Sequence, residues 1–200
     1  VSGSAAAALK IKSQESGAGR FTDFILPPLT FQEFLWLTDK DHLVKFDPTE
    51  EKYIAEDLEA LNEQFIDYLN FGGYPDLSLI HDRRDPTRYI RHDIIDKVLL
   101  RDLPSLYGIQ DIQELNALFT FIAFNTGAEV SMESLSHKSG VIKSTLRRYL
   151  TYLEAAFLIK VVHRVDQKGK TFKRANYFKI YLTNPSLRAA LFEPIKSDDS

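Results

Sequence analysis

Between Asp111 and Asn184 the chain sets three helical patterns, a glycine turn and two β-rich runs in a fixed order. Asp111 and Glu114 have the spacing of a helix start, and the stripe Leu115, Leu118, Phe119 and Ile122 steps by three and four until Gly127. Ser131 opens a second, short helix from Met132 to about Lys138, and Gly140 makes the turn. A third helix, from about Lys143 to Ala156, buries Leu146, Tyr149, Leu150, Leu153 and Phe157. The runs LIKVVHRV and YFKIYL follow, separated by the polar turn segment DQKGK. Three helices with a tight turn before the third, then a hairpin, are the order of a winged helix-turn-helix.

Charge marks the same segment. Residues 1–136 carry 12 Lys and Arg against 23 Asp and Glu, residues 137–174 carry 10 against 2, and the last 26 balance at 3 and 3. An acidic body with one module of +8 predicts a polyanionic partner. With Leu146, Tyr149, Leu150 and Leu153 facing the core, the opposite face of the third helix carries Lys143, Ser144, Arg147, Arg148 and Thr151. In a helix-turn-helix that outward face enters the major groove, where Arg and Lys pair with guanine edges or phosphates and Ser or Thr with either. The wing supplies Lys168, Lys170, Lys173 and Arg174 to grip backbone phosphate. DNA is therefore the expected partner. The rival is a protein partner, because Ile142 stands where Ser or Thr normally caps the third helix and offers an apolar contact.

The first half reads as helices and turns. FTDFIL, Phe21 to Leu26, alternates like a short strand and stops at Pro27-Pro28. Thr30 and Glu33 have capping-box spacing, with Leu29 and Phe34 as a hydrophobic staple, so a short helix through about Leu37 is predicted. Lys40 to Asp47 reads as loop. From Thr49 the positions Ile54, Leu58, Leu61, Phe65 and Leu69 predict a helix ending at Gly72-Gly73. Asp85-Pro86 starts another, carried by Ile90, Ile94, Val98 and Leu99 to about Asp102 and closed by Pro104.

Several chemistries are excluded. The chain has no cysteine, hence no disulfide, thiolate nucleophile or sulfur-ligated zinc, which fits the cytoplasm. No apolar run is long enough to cross a membrane. The phosphate-cradling GxxxxGK[ST] and GxGxxG motifs are missing, and His42, His81, His92, His137 and His163 show no paired-ligand spacing. His92 with Asp93 and Asp96 reads as a polar helix face, and Asp76, Asp82, Asp85 and Asp102 as solvated positions. No metal and no catalytic machinery are expected within these residues.

Seven segments in one order carry a family resemblance: VSGSAAAALK, ESGAGR, FILPPLTFQEFL, YLNFGGYPDL, IIDKVLLRDLPSLYGI, KSTLRRYLTYLEAAFLI and KIYL. Together they resemble the predicted AAA+ ATPases of bacteria and archaea that carry a C-terminal domain of unknown function containing a winged helix. The resemblance implies a P-loop and a Mg-binding acidic strand upstream, so ATP and Mg belong to the parent protein and no cofactor is expected on this fragment. It implies that Ser2 and Ser4 lie near the γ-phosphate, and that Arg20 reaches ATP held by a neighbouring subunit as an arginine finger. Where the family continues roughly KxYxxDxGL, this chain has KIYLTNPSL, with Asn184 and Ser186. Many members continue into a restriction-endonuclease-like region, which would follow Ser200.

The expected chain is thus the C-terminal portion of such an ATPase, without an initiator Met and not catalytic alone. Its fold is mainly α with a small β component. Residues 1–37 would be the remnant of the AAA+ α/β core, 38–108 a helical connector, 109–193 the winged helix-turn-helix and 194–200 a tail. Its partners would be DNA, the upstream ATPase core and further copies in a homo-oligomer. The alternatives are a winged helix used for protein interaction or oligomerisation, or as a regulatory lid on the nucleotide site.

Overall fold

The computed structural model describes residues 26–79, 86–164 and 177–196. The described chain is mainly helical with small antiparallel sheets, and it divides into two compact units. Of the described residues, the first holds 26–79, 86–91 and 184–196, and the second 92–164 and 177–183.

In the first unit, α1 (Phe31–Leu37) begins with the predicted capping box: the Thr30 N–H donates to Glu33 Oε2 at 2.8 Å, and the Glu33 N–H to Thr30 Oγ1 at 3.3 Å. Those bonds from Thr30 hold the Glu33 carboxyl below the usual carboxylate range. α1 buries Phe34 and Leu35, and Phe34 joins an aromatic cluster with Phe31, Phe65 and Tyr68.

The helix predicted from Thr49 is corrected. A single 3₁₀ turn, Asp41–Leu43, leads into an antiparallel hairpin of β1 (Val44–Asp47) and β2 (Lys52–Ala55), so the predicted Lys40–Asp47 loop is part strand. The Asp47 carboxylate accepts the Thr49 N–H at 2.7 Å and turns the chain, and Phe46 pairs across the strands with Tyr53, ring centroids 5.3 Å apart. α2 (Leu58–Asp67) starts where Asp57 accepts the Ala60 N–H at 3.0 Å. Ile54 falls into the helical spacing by coincidence. A π-helical turn, Tyr68–Gly72, and α3 (Pro75–Leu79) follow. α4 (Pro86–Tyr89) and α9 (Ser186–Leu191) complete this unit. Asn70, 4% exposed, donates to the Ile195 carbonyl at 2.9 Å and accepts its N–H at 2.8 Å, which anchors the end of the described chain. Asn184 and Ser186 are buried here too: Asn184 Oδ1 accepts the Ser186 N–H at 3.0 Å, and Ser186 Oγ accepts the Gly73 N–H.

In the second unit, π-helical turns through Asp96 and over Val98–Asp102 lead into α5 (Leu103–Tyr107). Pro104 does not close this run, contrary to the expectation from its residue type. It sits in the first turn of α5, where its missing N–H is tolerated. Gly108 ends the run instead, in the left-handed region at φ 63°. α6 (Ile112–Phe124) buries Leu115, Leu118, Phe119 and Ile122. β3 (Glu129–Ser131), α7 (Met132–Ser139), α8 (Lys143–Ala155), β4 (Ile159–His163) and β5 (Tyr177–Leu182) follow. The sheet order is β3-β5-β4, antiparallel throughout, with Val130 opposite Phe178 and Val161 opposite Ile180. Alternation on β5 sends Phe178 and Ile180 inward and leaves Tyr177, Lys179 and Tyr181 exposed.

Candidate nucleic-acid interface

The turn before α8 is stitched by serines. Ser131 and Ser134 form a reciprocal capping box at the start of α7. Ser136 Oγ donates to the Val141 carbonyl at 2.6 Å, Ser139 Oγ accepts the Val141 N–H at 3.3 Å, and Gly140 takes φ 76°. This fixes where α8 begins. Ile142 occupies its N-cap with extended backbone, makes no side-chain cap bond and is 65% exposed.

Helical period then decides which side chains face out. Leu146, Tyr149, Leu150 and Leu153 are buried, while Lys143, Ser144, Arg147, Arg148 and Thr151 are all exposed. The sequence pattern and the structure agree at each of these positions, but Phe157, expected to be buried with them, is 41% exposed: the helix ends at Ala155 and Phe157 turns into the left-handed region at φ 55°. Burial pushes the Tyr149 hydroxyl up to about 12, and that hydroxyl points back toward the Asp111 carbonyl at 3.5 Å. Thr151 Oγ1 donates to the Arg147 carbonyl at 3.0 Å, a local bond that leaves the hydroxyl oxygen open as an acceptor.

Two of the three cations have side-chain partners, one of them on another helix. Lys143 Nζ lies 2.5 Å from Glu133 Oε1 on the first turn of α7, with both side chains largely exposed. The hydrogen bond from Lys143 holds the Glu133 carboxyl below the usual carboxylate range, with Arg147 adding its charge from further off. Arg148 Nε donates to Tyr152 Oη at 3.2 Å, and its guanidinium stands 5.9 Å from the Tyr152 ring centroid. Tyr152 in turn stacks face to face on Tyr107, centroids 3.7 Å apart at 8°. Spacing of three or four finds Arg148–Tyr152, but Glu133 and Tyr107 come from other helices, so no periodicity within α8 reveals them. Lys160 and Lys179 stand exposed on the sheet.

The wing residues Lys168, Lys170, Lys173 and Arg174 lie outside the described residues, as do Ser2, Ser4 and Arg20. His92 and Asp96 form an (i, i+4) pair at 3.0 Å, a polar helix face as predicted, whereas Asp102, expected to be solvated, is half-buried with its Oδ2 shut off from solvent. Among the described residues no group of three His, Asp or Glu could hold a metal ion, and no helix is long and apolar enough to cross a membrane.

Residues 62–198 match the family model described as "Domain of unknown function (DUF8612)". An uncharacterized protein of Haemophilus influenzae is 24% identical over 176 residues, covering 86% of this chain and 40% of its own length. An uncharacterized protein of Methanocaldococcus jannaschii is 25% identical over 187 residues, covering 91% of this chain and 40% of its own. The chain thus spans about two fifths of the length of these curated relatives. No solved structure gives a significant match.

Proposed function

The chain belongs to the family described as a domain of unknown function (DUF8612), and on that footing we propose that its second unit is a winged helix-turn-helix that binds duplex DNA through the outward face of α8. One observation carries this: Lys143, Arg147 and Arg148 are exposed together on the third helix of an α6-β3-α7-α8-β4-β5 order, and the same helix buries its apolar stripe. In this reading α7 and α8 are the helix-turn-helix and β4 and β5 the strands of the wing, with Lys168, Lys170 and Lys173 lying between them in the sequence. Ser144 and Thr151 flank the cations as neutral donors or acceptors. Phosphate contacts would position the helix and base-edge contacts would specify the site.

The test is a salt titration of a labelled duplex followed by fluorescence anisotropy. Binding weakens steeply between about 50 and 200 mM salt if several phosphates are neutralised. Replacing Lys143, Arg147 and Arg148 together with Ala flattens the slope by roughly 0.9 for each phosphate that is no longer neutralised. No measurable affinity at low salt for the unsubstituted chain would end the proposal.

The exposed Ile142 favours a second reading, a protein partner seated on the start of α8. In that case Ile142→Ser abolishes the partner's binding and leaves duplex binding intact. We further propose a cytoplasmic parent ATPase in which ATP and Mg sit upstream and copies assemble so that Arg20 reaches a neighbour's nucleotide. Its support is the ordered set of seven segments from VSGSAAAALK to KIYL. Unchanged ATP turnover in the full-length Arg20→Ala protein would remove Arg20 from it.

A further inference from the structure

We infer that Lys143 and Glu133 act as one unit that reads a G·C base pair, with Glu133 the residue that sets specificity; this rests on the DNA-binding reading above. The ammonium and the carboxylate lie 2.5 Å apart on the first turns of α8 and α7, with side chains 48% and 65% exposed. A cation held against a carboxylate is a poor partner for phosphate, because a phosphate oxygen must first displace the carboxylate and then lie beside its negative charge. What suits the pair is a neutral surface offering an acceptor to Lys143 and, about 3 Å away, a donor to Glu133.

The major-groove edge of a base pair is such a surface. In G·C, guanine N7 and O6 are two adjacent acceptors, which a Lys ammonium can engage together, and cytosine N4–H₂ is the donor next to O6. O6 and N4 are joined by the base pair's own hydrogen bond, so they stand about 2.9 Å apart, close to the spacing of the two side-chain atoms. A·T pairs present the N6 donor between single acceptors, N7 and O4, and place the thymine methyl beside O4. Lys143 then gains one acceptor where G·C gives two. Arg147 and Arg148 lie on the same exposed face, and among the described residues neither has a carboxylate in hydrogen-bonding reach, so they are left for phosphate or for other bases.

Glu133 therefore lowers general affinity for duplex and raises discrimination. The experiment selects binders from a randomised duplex pool with the unsubstituted chain, Glu133→Ala and Lys143→Ala, and then measures affinity and salt slope on a selected duplex and its G·C-to-A·T derivative. The unsubstituted chain enriches one G·C pair at a fixed position and prefers it over A·T about tenfold. Glu133→Ala loses that preference, binds the unselected pool more tightly, and steepens the salt slope by roughly 0.9 as Lys143 turns to a phosphate. Lys143→Ala loses the preference without the gain in general affinity. A Glu133→Ala protein that keeps the same base preference overturns the inference while leaving DNA binding in place. A chain that binds no duplex at low salt fails earlier, and takes the underlying reading with it. The Glu133 side chain is exposed, so circular dichroism of the variant should match that of the unsubstituted chain.

Discussion

Replacing Gly73 by Ala isolates one contact that holds the first unit together. Gly73 has φ −72° and ψ −16°, a conformation any residue adopts, so the backbone itself does not object. By itself this conformational fit would favour Ala by about 0.4–1 kcal/mol through the unfolded chain. The obstacle is Asn184. A Cβ on Gly73 falls far inside van der Waals contact of its carboxamide, and Asn184 is 1% exposed. The side chain must move, which costs about 1–3 kcal/mol of overpacking. It also takes Oδ1 away from the Ser186 N–H it accepts at 3.0 Å, and a buried unsatisfied donor costs about 1–3 kcal/mol more. Less the gain from the unfolded chain, the loss is about 1–6 kcal/mol, a shift of roughly 5–35 °C for a unit of this size. Urea and thermal unfolding followed by far-ultraviolet circular dichroism measure it. The decisive comparison is Gly73→Ala in an Asn184→Ala background. With the carboxamide gone the Cβ has room, so the second substitution adds little, and the coupling energy is about 2 kcal/mol or more. A Gly73→Ala penalty equally large in both backgrounds refutes the clash as its source.

Two further outcomes follow from local physics. Ile142→Ser supplies the missing oxygen for the orphan N–H groups at the start of α8 and stabilises the second unit by about 1 kcal/mol, read as a higher melting temperature. Tyr74 and Tyr149 both have hydroxyls that burial pushes up to about 12 from an ordinary 10.0. The native chain therefore resists ionising them where the unfolded chain does not. Their effect on stability is absent below pH 10, and stability falls between about pH 10 and 12, where the unfolded tyrosines lose their protons first. Burial also raises Tyr68 and Tyr107, so tyrosinate absorbance should show a late-titrating set in native protein, led by Tyr74 and Tyr149, that merges with the rest in denaturant, and Tyr149→Phe should remove one member of it.

How much of this was legible beforehand depended on whether the signal was local. Capping residues act on their own next turn, so Thr30, Asp111 and Ser131 mark helix starts correctly from sequence. The stripe of α8 repeats over a helix of 13 residues, long enough for period alone to sort Leu146, Tyr149, Leu150 and Leu153 from Lys143, Ser144, Arg147, Arg148 and Thr151. Short elements gave no such margin. β1 and β2 have four residues each and β3 three, and one apolar residue in helical register, Ile54, was enough to mislead. β3 exists because β5 offers it an edge to pair with, a fact about the partner strand rather than about Glu129–Ser131.

The amino-acid sequence by itself determined the segregation of charge, the caps and the exposed face of α8, since each follows from residue type and spacing along one element. Tertiary structure decided what stands beside that face. Glu133 reaches Lys143 from α7, and Tyr107 stacks under Tyr152 from α5, because packing brings separate helices within a few ångströms of each other. Buried Asn184, pressed against Gly73, belongs to the same class: two positions far apart in sequence meet only when the chain has folded. Periodicity describes what a residue presents, and only packing supplies what it is presented to.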